Sequence, residues 1–370
     1  MIRVFEPELS FQDKLSVIKS LRNNYISGTS PVVQEFEEKA ATTFDRKYAV
    51  AVSNGSVALD IAFQLFDFEE GDEVIIPSFT IVSCLAAVVR AGAKPVFCDV
   101  DSKTWNVNLD NIASKVTSKT KAILVVHTYG LSAEIKKISE FCSKNNFYLI
   151  EDAAEAHGQK DQDIKCGSFG DISTMSFYAN KHVTTGEGGM VLTNSEEYYE
   201  KIKSMRNLDF TNKGRFKHEN LYWNYRLGGL QAALGISQLS QIEKQIKNKI
   251  NQGRRYQNLL KEHNSLLTLP LEEIGNIKNH YWVFGVLLKI ENIRDKVIED
   301  LFNRGIETRP FFWPLHLQNA LPKEFVTSEK LLNSENLGSN GLYLPMGRHV
   351  SAKKQKHVVQ NLIEVIRKFN

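Results

Sequence analysis

The segment that most constrains this chain is Ser176–Met190, with the sequence SFYANKHVTTGEGGM. A β-branched and aromatic run leads into it, and the apolar run GMVLT follows a stretch too rich in glycine for a helix or a strand interior. Lys181 is therefore predicted to lie on a turn between two strands. A lysine amine, with an ordinary pKa of about 10.4, attacks carbonyl groups only when burial or nearby positive charge makes it a free amine near neutral pH. Lys181 is either a solvated hairpin lysine or a covalent nucleophile.

Composition narrows the possible classes of function. The chain has 370 residues, 42% of them hydrophobic, which favours a large domain at residues 1–240 and a smaller one at residues 241–370. The net charge is only +3, from 46 basic and 43 acidic side chains, so charge does not indicate nucleic acid or an anionic membrane as a partner. The nine histidines form no HxxxH or HExxH array, so no metal is expected.

The expected location is the cytoplasm. The four cysteines have no CxxC spacing, which is typical of a protein that stays reduced. The N-terminal stretch MIRVFEPEL has no apolar leader, and no apolar stretch of the chain approaches the length of a membrane span.

Predicted strands and helices alternate before the lysine segment. The strands are KYAVAVS, EVIIP, PVFCDV, TKAILVVH and FYLIED, with helical runs between them. This alternation predicts an α/β fold with a mostly parallel central sheet and helices on both faces. Ligands of such folds bind beyond the carboxyl ends of the strands. The turn at Ser56, His127 and Asp152 all fall at such ends, which predicts a site at that rim.

Two positions at this rim have specific chemistry. Gly55 and Ser56 begin a helix directly after a strand, where free N–H groups and the helix dipole favour phosphate, although an ordinary N-cap has the same sequence. Asp152 is either a strand-end cap or a buried carboxylate that raises the pKa of a heterocyclic nitrogen and so keeps it protonated. In pyridoxal phosphate such a protonated ring is an electron sink.

Beyond residue 240 the pattern changes. Residues 236–263 are predicted to form one long helix, followed by the strand YWVFGVLLKI and the helix IRDKVIEDLFNRG. The last stretch, SAKKQKHVVQNLIEVIRKF, is an amphipathic helix. This order predicts a small C-terminal α+β domain.

The motifs together resemble a known family. In chain order they are NNYISGTSPVVQEFE, SNGSVAL, GDEVIIPSFT, VHTYG, IEDAAEAHG, GSFGDISTMSFYANKHVTTGEGGM, NYRLGGLQAALG and ETRPFFWPLH. They cover nearly the whole chain, and on them it is identified as a member of the DegT/DnrJ/EryC1/StrS family of PLP-dependent sugar aminotransferases. The resemblance implies the fold-type I aminotransferase architecture and pyridoxal 5'-phosphate (PLP) as cofactor.

The resemblance also implies roles for particular residues. Lys181 would carry the cofactor covalently and shuttle a proton, Asp152 would pair with the pyridine nitrogen, and Glu155 would lie near the ring hydroxyl. The phosphate would be held by Gly55, Ser56, Ser176 and Asn224, the last reaching across from the partner subunit of a homodimer. The substrate-binding positions would be Ser27, Gly28, Thr29, Arg309 and His316.

Four positions test how far the family pattern extends. Ile81 stands where the family often has an aromatic residue stacked on the cofactor ring, which gives up a contribution on the order of 1 kcal/mol. Gly228 and Gly229 stand where relatives often have Thr-Asn, which predicts a looser helix start near the partner's site. Some members are dehydratases with histidine in place of the lysine. Lys181 is retained here, which favours transamination.

Within the family, the chain is similar to the members that make GDP-perosamine and to those that aminate the C8 aldehyde of an oxidised octulosonate sugar. The resemblance implies amino transfer from L-glutamate to a keto- or aldehyde-sugar, such as GDP-4-keto-6-deoxymannose, for bacterial lipopolysaccharide or O-antigen. The alternative acceptor is 8-oxo-3-deoxy-octulosonate. A PLP-dependent sugar dehydratase and a non-catalytic PLP-binding regulator are alternatives of other classes.

Overall fold

A computed structural model describes residues 1–210 and 216–369 of the chain. The helices are α1 (Phe11–Arg22), α2 (Pro31–Thr43), α3 (Gly55–Gln64), α4 (Val82–Arg90), α5 (Leu109–Ala113), α6 (Ile135–Asn145), α7 (Glu196–Arg206), α8 (Gly229–Leu239), α9 (Ile242–Leu260), α10 (Arg294–Asn303), α11 (Leu332–Asn340) and α12 (Ala352–Ile366). Within these described ranges, no helix is both long and apolar enough to cross a membrane.

The strands are β1 (Tyr48–Val52), β2 (Glu73–Pro77), β3 (Lys94–Cys98), β4 (Thr120–Val126), β5 (Tyr148–Asp152), β6 (Lys160–Asp161), β7 (Ile164–Lys165), β8 (Ile172–Ser176), β9 (Gly189–Thr193), β10 (Leu267–Thr268), β11 (Glu273–Ile274), β12 (Ile277–Lys278), β13 (Phe284–Leu288), β14 (Arg309–Pro310) and β15 (Gly341–Leu344). The predicted strands of the first half are all present.

The central sheet has seven strands in the order β1-β9-β8-β5-β4-β2-β3. Strands β3, β2, β4, β5 and β8 pair with one another in parallel, in that order. Strand β9 pairs antiparallel with both β8 and β1. The mostly parallel α/β sheet predicted from the alternating pattern is therefore confirmed. The turn that holds Lys181 connects β8 to β9, as the sequence of that segment predicts.

Helices cover both faces of this sheet. Alternate residues of one strand belong to different cores: Ile76 and Leu124 pack into the core that contains α3 and α4, whereas Ile75 and Ile123 pack on the opposite side. Because side chains of a strand alternate between faces, a strand covered on both sides is apolar throughout. The continuous apolar sequences of β2 and β4 follow from this double coverage.

The C-terminal region has a separate core. Its antiparallel sheet, in the order β10-β13-β15-β14, packs against α9, α10 and α12 through residues such as Val286, Leu342 and Leu362. The boundary predicted after residue 240 falls between α8 and α9. The first residues of the chain do not follow that division, because Ile2 pairs with Ile306 of the C-terminal region. Further backbone hydrogen bonds also join the first residues to that region.

The prediction of one long helix over residues 236–263 is wrong. Helix α8 ends at Leu239, α9 begins at Ile242, and a 3₁₀ turn follows α9. Ser240 Oγ donates a hydrogen bond to Ile236 O four residues earlier, a pattern that bends helices. Gln241 Nε2 donates to Asp13 Oδ1 at 3.0 Å, so contacts with α1 fix the break.

Helix α8 begins after Gly228 without a side-chain cap, and its backbone is tied to a neighbouring segment. The Gly229 N–H donates to Ile26 O at 3.0 Å, which ties the helix start to the segment after α1. A Cβ at Gly229 would lie 2.3 Å from Tyr25 O. The absence of a side chain there lets two backbone segments pass in direct contact.

This close approach predicts that Gly229→Ala destabilises the protein by about 2 kcal/mol, because the added methyl group would force the Tyr25 carbonyl away. A urea unfolding midpoint measures the loss. The control is Gly275→Ala, where an added Cβ has no heavy atom within 4 Å and only the positive φ of 56° is unfavourable, which costs about 1 kcal/mol. Losses that are no larger at Gly229 than at Gly275 would contradict the steric explanation.

Candidate functional site

A cavity of about 560 Å³ lies beyond the carboxyl ends of the parallel strands, between the central sheet and the C-terminal region. Eight residues singled out from the sequence line it: Gly55, Ser56, Ile81, Asp152, Glu155, Ser176, Lys181 and Arg309. They come from five separate parts of the chain. The predicted convergence at this rim therefore occurs for these eight residues.

One end of the cavity is built to hold an anion. Helix α3 starts here, with Asn54 Oδ1 accepting from the Val57 N–H at 2.9 Å, and Ser56 Oγ lies 2.7 Å from Ser83 Oγ. A Cβ at Gly55 would lie 2.8 Å from Ser176 Cβ, so only glycine lets the helix start so close to β8. Free N–H groups, hydroxyls and the helix dipole together fit a phosphate group.

Asp152 lies at the end of β5 and is buried. Its Oδ1 accepts a hydrogen bond from the Ala154 N–H at 3.0 Å, and the Cys84 thiol lies 3.8 Å from its Oδ2. Burial raises the pKa of the Asp152 carboxyl, and the Lys181 ammonium opposes this shift. A buried carboxylate in this position is stabilised further by any protonated nitrogen that enters the cavity.

Lys181 extends from the β8–β9 turn into the same cavity. Its Nζ lies 3.6 Å from Glu155 Oε1 and 3.9 Å from the centroid of the Trp282 ring. Burial lowers the pKa of the Lys181 amine, while Glu155 and Asp152 raise it in opposition. The nucleophile predicted at this position therefore has the environment that makes an amine reactive.

Glu155 is held by the backbone of the turn after β4. Its Oε2 accepts from the Tyr129 N–H at 2.9 Å, and burial raises the pKa of its carboxyl to about 7. Tyr129 is buried with a φ of 61°, in the left-handed region that costs free energy for a bulky residue. That conformation aims its N–H at Glu155.

His127, expected at the rim, does not reach the cavity. Its Nε2 lies 2.9 Å from Glu151 Oε1 on the other side of the sheet, and its Nδ1 accepts from the Ala133 N–H at 3.2 Å. Both ring nitrogens are therefore occupied. His127 and Glu151 also lie close to Cys166, a donor set of the kind that binds metals. However, both Glu151 oxygens already accept hydrogen bonds from the protein, so the cluster acts as a structural network.

His316 also lies outside the cavity, which corrects the expectation that it faces the substrate. It is buried beside Phe97, with Nδ1 2.6 Å from Ser78 Oγ and Nε2 3.4 Å from Glu335 Oε1. These contacts hold the segment after β14 against the end of β2. The position of His316 in the sequence does not distinguish a residue that holds two segments together from one that contacts the substrate.

Four other predicted residues lie away from the cavity of this chain. Asn224 is exposed, and its Oδ1 accepts from Arg226 Nε at 2.9 Å. Ser27, Gly28 and Thr29 form a loop beside it, and a Cβ at Gly28 would lie 2.7 Å from Arg226 Cβ. These four residues therefore share one surface.

The C-terminal region supplies cavity residues that the sequence did not single out. They are Trp282, Phe312 and Tyr343. Trp282 lies two residues before β13, in an apolar run that is typical of a core strand. In the sequence Trp282 belongs to a His-Tyr-Trp cluster. Clusters of this composition are common in buried segments, so the cluster does not indicate a functional site.

The residues of the cavity fit PLP. The start of α3 provides a cradle for a phosphate that a Cβ at Gly55 would fill. The buried Asp152 carboxylate suits a protonated pyridine nitrogen, and the Lys181 amine suits the aldehyde carbon. Ile81, about two-fifths exposed at the start of α4, offers an aliphatic face to the cavity.

Comparison with known proteins agrees with this fit. The sequence profile of the DegT/DnrJ/EryC1/StrS aminotransferase family matches residues 8–363. The GDP-perosamine synthase of Escherichia coli O157:H7 is 34% identical over 363 residues, covering 98% of each chain. That of Vibrio cholerae is 36% identical over 352 residues, covering 93% of this chain and 94% of the relative.

The fold is also that of a solved aminotransferase. The crystal structure of an aminotransferase from Psychrobacter cryohalolentis superposes with a TM-score of 0.90 at 28% identity, covering 98% of each chain. The agreement therefore extends over the central sheet and the C-terminal region alike. This chain belongs to the DegT/DnrJ/EryC1/StrS family and is an aminotransferase with pyridoxal 5'-phosphate as its cofactor.

Proposed function

We propose that this enzyme transfers the amino group of L-glutamate to a nucleotide-linked 4-keto-6-deoxy sugar such as GDP-4-keto-6-deoxymannose, for bacterial surface polysaccharide. The observation that carries the proposal is the buried Lys181 amine, 3.6 Å from Glu155 Oε1 and in one cavity with Asp152. Support for the sugar comes from the similarity to GDP-perosamine synthases along nearly the whole chain.

The chemistry divides among a few side chains. Bound PLP would supply a carbonyl for the incoming amine and a ring that withdraws electrons. Lys181, whose pKa burial lowers, would take a proton from one carbon and return it to another. Asp152 would hold a proton on the ring nitrogen, Glu155 would pair with the released ammonium of Lys181, and the start of α3 would hold the phosphate.

Arg309 would bind the anionic part of a substrate. It lines the cavity from β14, with its guanidinium 5.3 Å from the centroid of the Phe5 ring. It also lies 3.4 Å from Glu307, which limits the directions that its side chain takes. Glutamate carboxylates and sugar-nucleotide phosphates both suit a guanidinium, so one arginine would serve both substrates in turn.

The two half-reactions test this proposal. The purified enzyme is expected to release a keto acid from glutamate and then to aminate a keto-sugar, with ping-pong kinetics. Lys181→Ala should bind PLP without a covalent bond and lose at least about 1,000-fold in rate, or ~4 kcal/mol of transition-state stabilisation. The control is Lys137→Ala, since that lysine is exposed on α6 and pairs with the neighbouring Glu134, away from the cavity lining.

The outcomes separate the alternatives. Near-normal turnover by Lys181→Ala would contradict the role of the lysine. A sugar dehydratase would release no keto acid from glutamate, and a PLP-binding regulator would turn over neither substrate. Faster amination of 8-oxo-3-deoxy-octulosonate than of GDP-4-keto-6-deoxymannose would replace the proposed sugar and leave the reaction class intact.

The active enzyme is proposed to be a cytoplasmic homodimer with shared active sites. The surface with Asn224 is unusually apolar: Leu221 is 98% exposed, Trp223 69% and Ile26 59%. Such a patch is typical of an interface between subunits. In a two-fold dimer, Asn224 would reach the partner's phosphate site, and the loop of Ser27, Gly28 and Thr29 would reach the partner's substrate. The four free cysteines, all buried, suit a reducing compartment.

Subunit mixing tests the sharing of sites. Asn224→Asp would still accept the hydrogen bond of Arg226 but would repel the phosphate, so it is expected to weaken PLP binding and inactivate the enzyme. If inactive Lys181→Ala and inactive Asn224→Asp chains exchange subunits, about half of the dimers are hybrids with one intact site of two. Activity should then recover to about a quarter of wild type.

The matched control mixes Lys181→Ala with the double variant Lys181→Ala/Asn224→Asp, where no pairing restores a site. If Asn224 serves its own subunit, every site of the first mixture carries a defect as well. A mixture that stays inactive after complete exchange, shown by native mass spectrometry of tagged subunits, would refute the shared site.

A further inference from the structure

Trp282 contacts the reactive nitrogen from the C-terminal region. Its indole face lies 3.9 Å from Lys181 Nζ, measured to the ring centroid, and only 5% of the residue is exposed. Lys181 itself comes from the central sheet, so the contact joins the two parts of the molecule at the amine. A cation over an indole face is stabilised by the ring quadrupole, most strongly where water is excluded.

Several independent contacts fix the indole in this position. Its Nε1–H donates to Asn180 O at 3.1 Å, the carbonyl just before Lys181. Lys249 Nζ donates to Trp282 O at 3.0 Å from α9. The turn at Gly130 passes so close that a Cβ there would lie 2.5 Å from Trp282 N, which requires glycine. Both the ring and the backbone of Trp282 are therefore fixed relative to Lys181.

The amine therefore has two binding surfaces of different chemistry. On one side is the carboxylate of Glu155 at 3.6 Å, and Asp152 lines the same cavity. The buried His157 ring lies outside the cavity lining, where burial lowers the pKa of that ring and the Lys181 charge is near enough to lower it further. On the other side is the indole of Trp282. A carboxylate attracts the ammonium form and accepts its protons, whereas an aromatic face attracts the charge without accepting a proton.

We propose that Trp282 is a positioning residue that holds the free ammonium of Lys181 against its indole face whenever the amine is not bonded to the cofactor. This inference rests on the proposed role of Lys181. The anchors on Asn180 and Lys249 keep the ring in place while the amine moves. Lys181 is thereby returned in each half-reaction to one location, between the indole and the Glu155 carboxylate.

The proposal is tested on the cofactor-free full-length chain, without turnover. The rate at which a small amine-specific reagent modifies Lys181 is measured against pH by peptide mass spectrometry. In Trp282→Met, a flexible side chain replaces the aromatic face, and the pH midpoint of modification should fall by about one unit, because the ammonium loses its stabilisation. Trp282→Phe retains a weaker face, so its midpoint should fall by a smaller amount.

Trp313→Leu is the matched control. That indole is 46% exposed, and its Nε1–H also donates to a backbone carbonyl, that of Leu317 at 3.2 Å, away from the cavity lining. Its midpoint should equal that of wild type. An unchanged or raised midpoint in Trp282→Met would overturn the proposal and leave Trp282 a core residue.

If Trp282→Met does not fold, the Phe variant decides alone, and a midpoint equal to wild type would overturn the inference. A failure of the proposed transamination would leave these midpoints as they are, since no substrate is present. The two proposals can therefore fail separately.

Discussion

A lysine amine becomes nucleophilic near neutral pH only if the protein makes its charged form costly, and the site depends on that constraint. Burial supplies the cost at Lys181, but a buried ammonium without partners would destabilise the fold. Glu155 at 3.6 Å and the indole of Trp282 at 3.9 Å limit the cost by stabilising the ammonium form. The ammonium form therefore has two partners of different chemistry, a carboxylate and an aromatic face.

Meeting this constraint requires backbone conformations that are unfavourable elsewhere. Tyr129 adopts a φ of 61°, which aims its N–H at Glu155 while its ring packs against Trp282. Gly130 follows with a φ of 92° and lets the segment before β13 come into contact. The turn after β4 thus holds both partners of the lysine, the carboxylate through a hydrogen bond and the indole through packing. Local strain of this kind persists where the surrounding structure determines the conformation.

The parts of the site that can be predicted from sequence are those governed by local rules. Alternating strands and helices specify where the carboxyl ends of the strands meet, so the order of these elements is enough to assign Ser56 and Asp152 to one rim. Trp282 cannot be assigned in this way, because it reaches Lys181 through a contact between residues about 100 positions apart, and nothing local distinguishes it from a core aromatic. The expectation for His316 is wrong for the same reason: its partner Ser78 is far away in sequence.

The neighbouring carboxylates at the end of β5 illustrate how one strand serves both the scaffold and the site. Glu151 and Asp152 point to opposite faces because strand side chains alternate. Burial alone would raise the pKa of the Glu151 carboxyl, but hydrogen bonding from His127, the charge of Arg46 and the Gly167 N–H outweigh it and lower that pKa to about 2. Glu151 is thus a permanent anion that holds the loop before β8. Asp152 receives fewer hydrogen bonds, and its pKa is raised instead by burial. Its charge is left to be stabilised by what enters the cavity, and a one-residue shift of β5 would exchange these two roles.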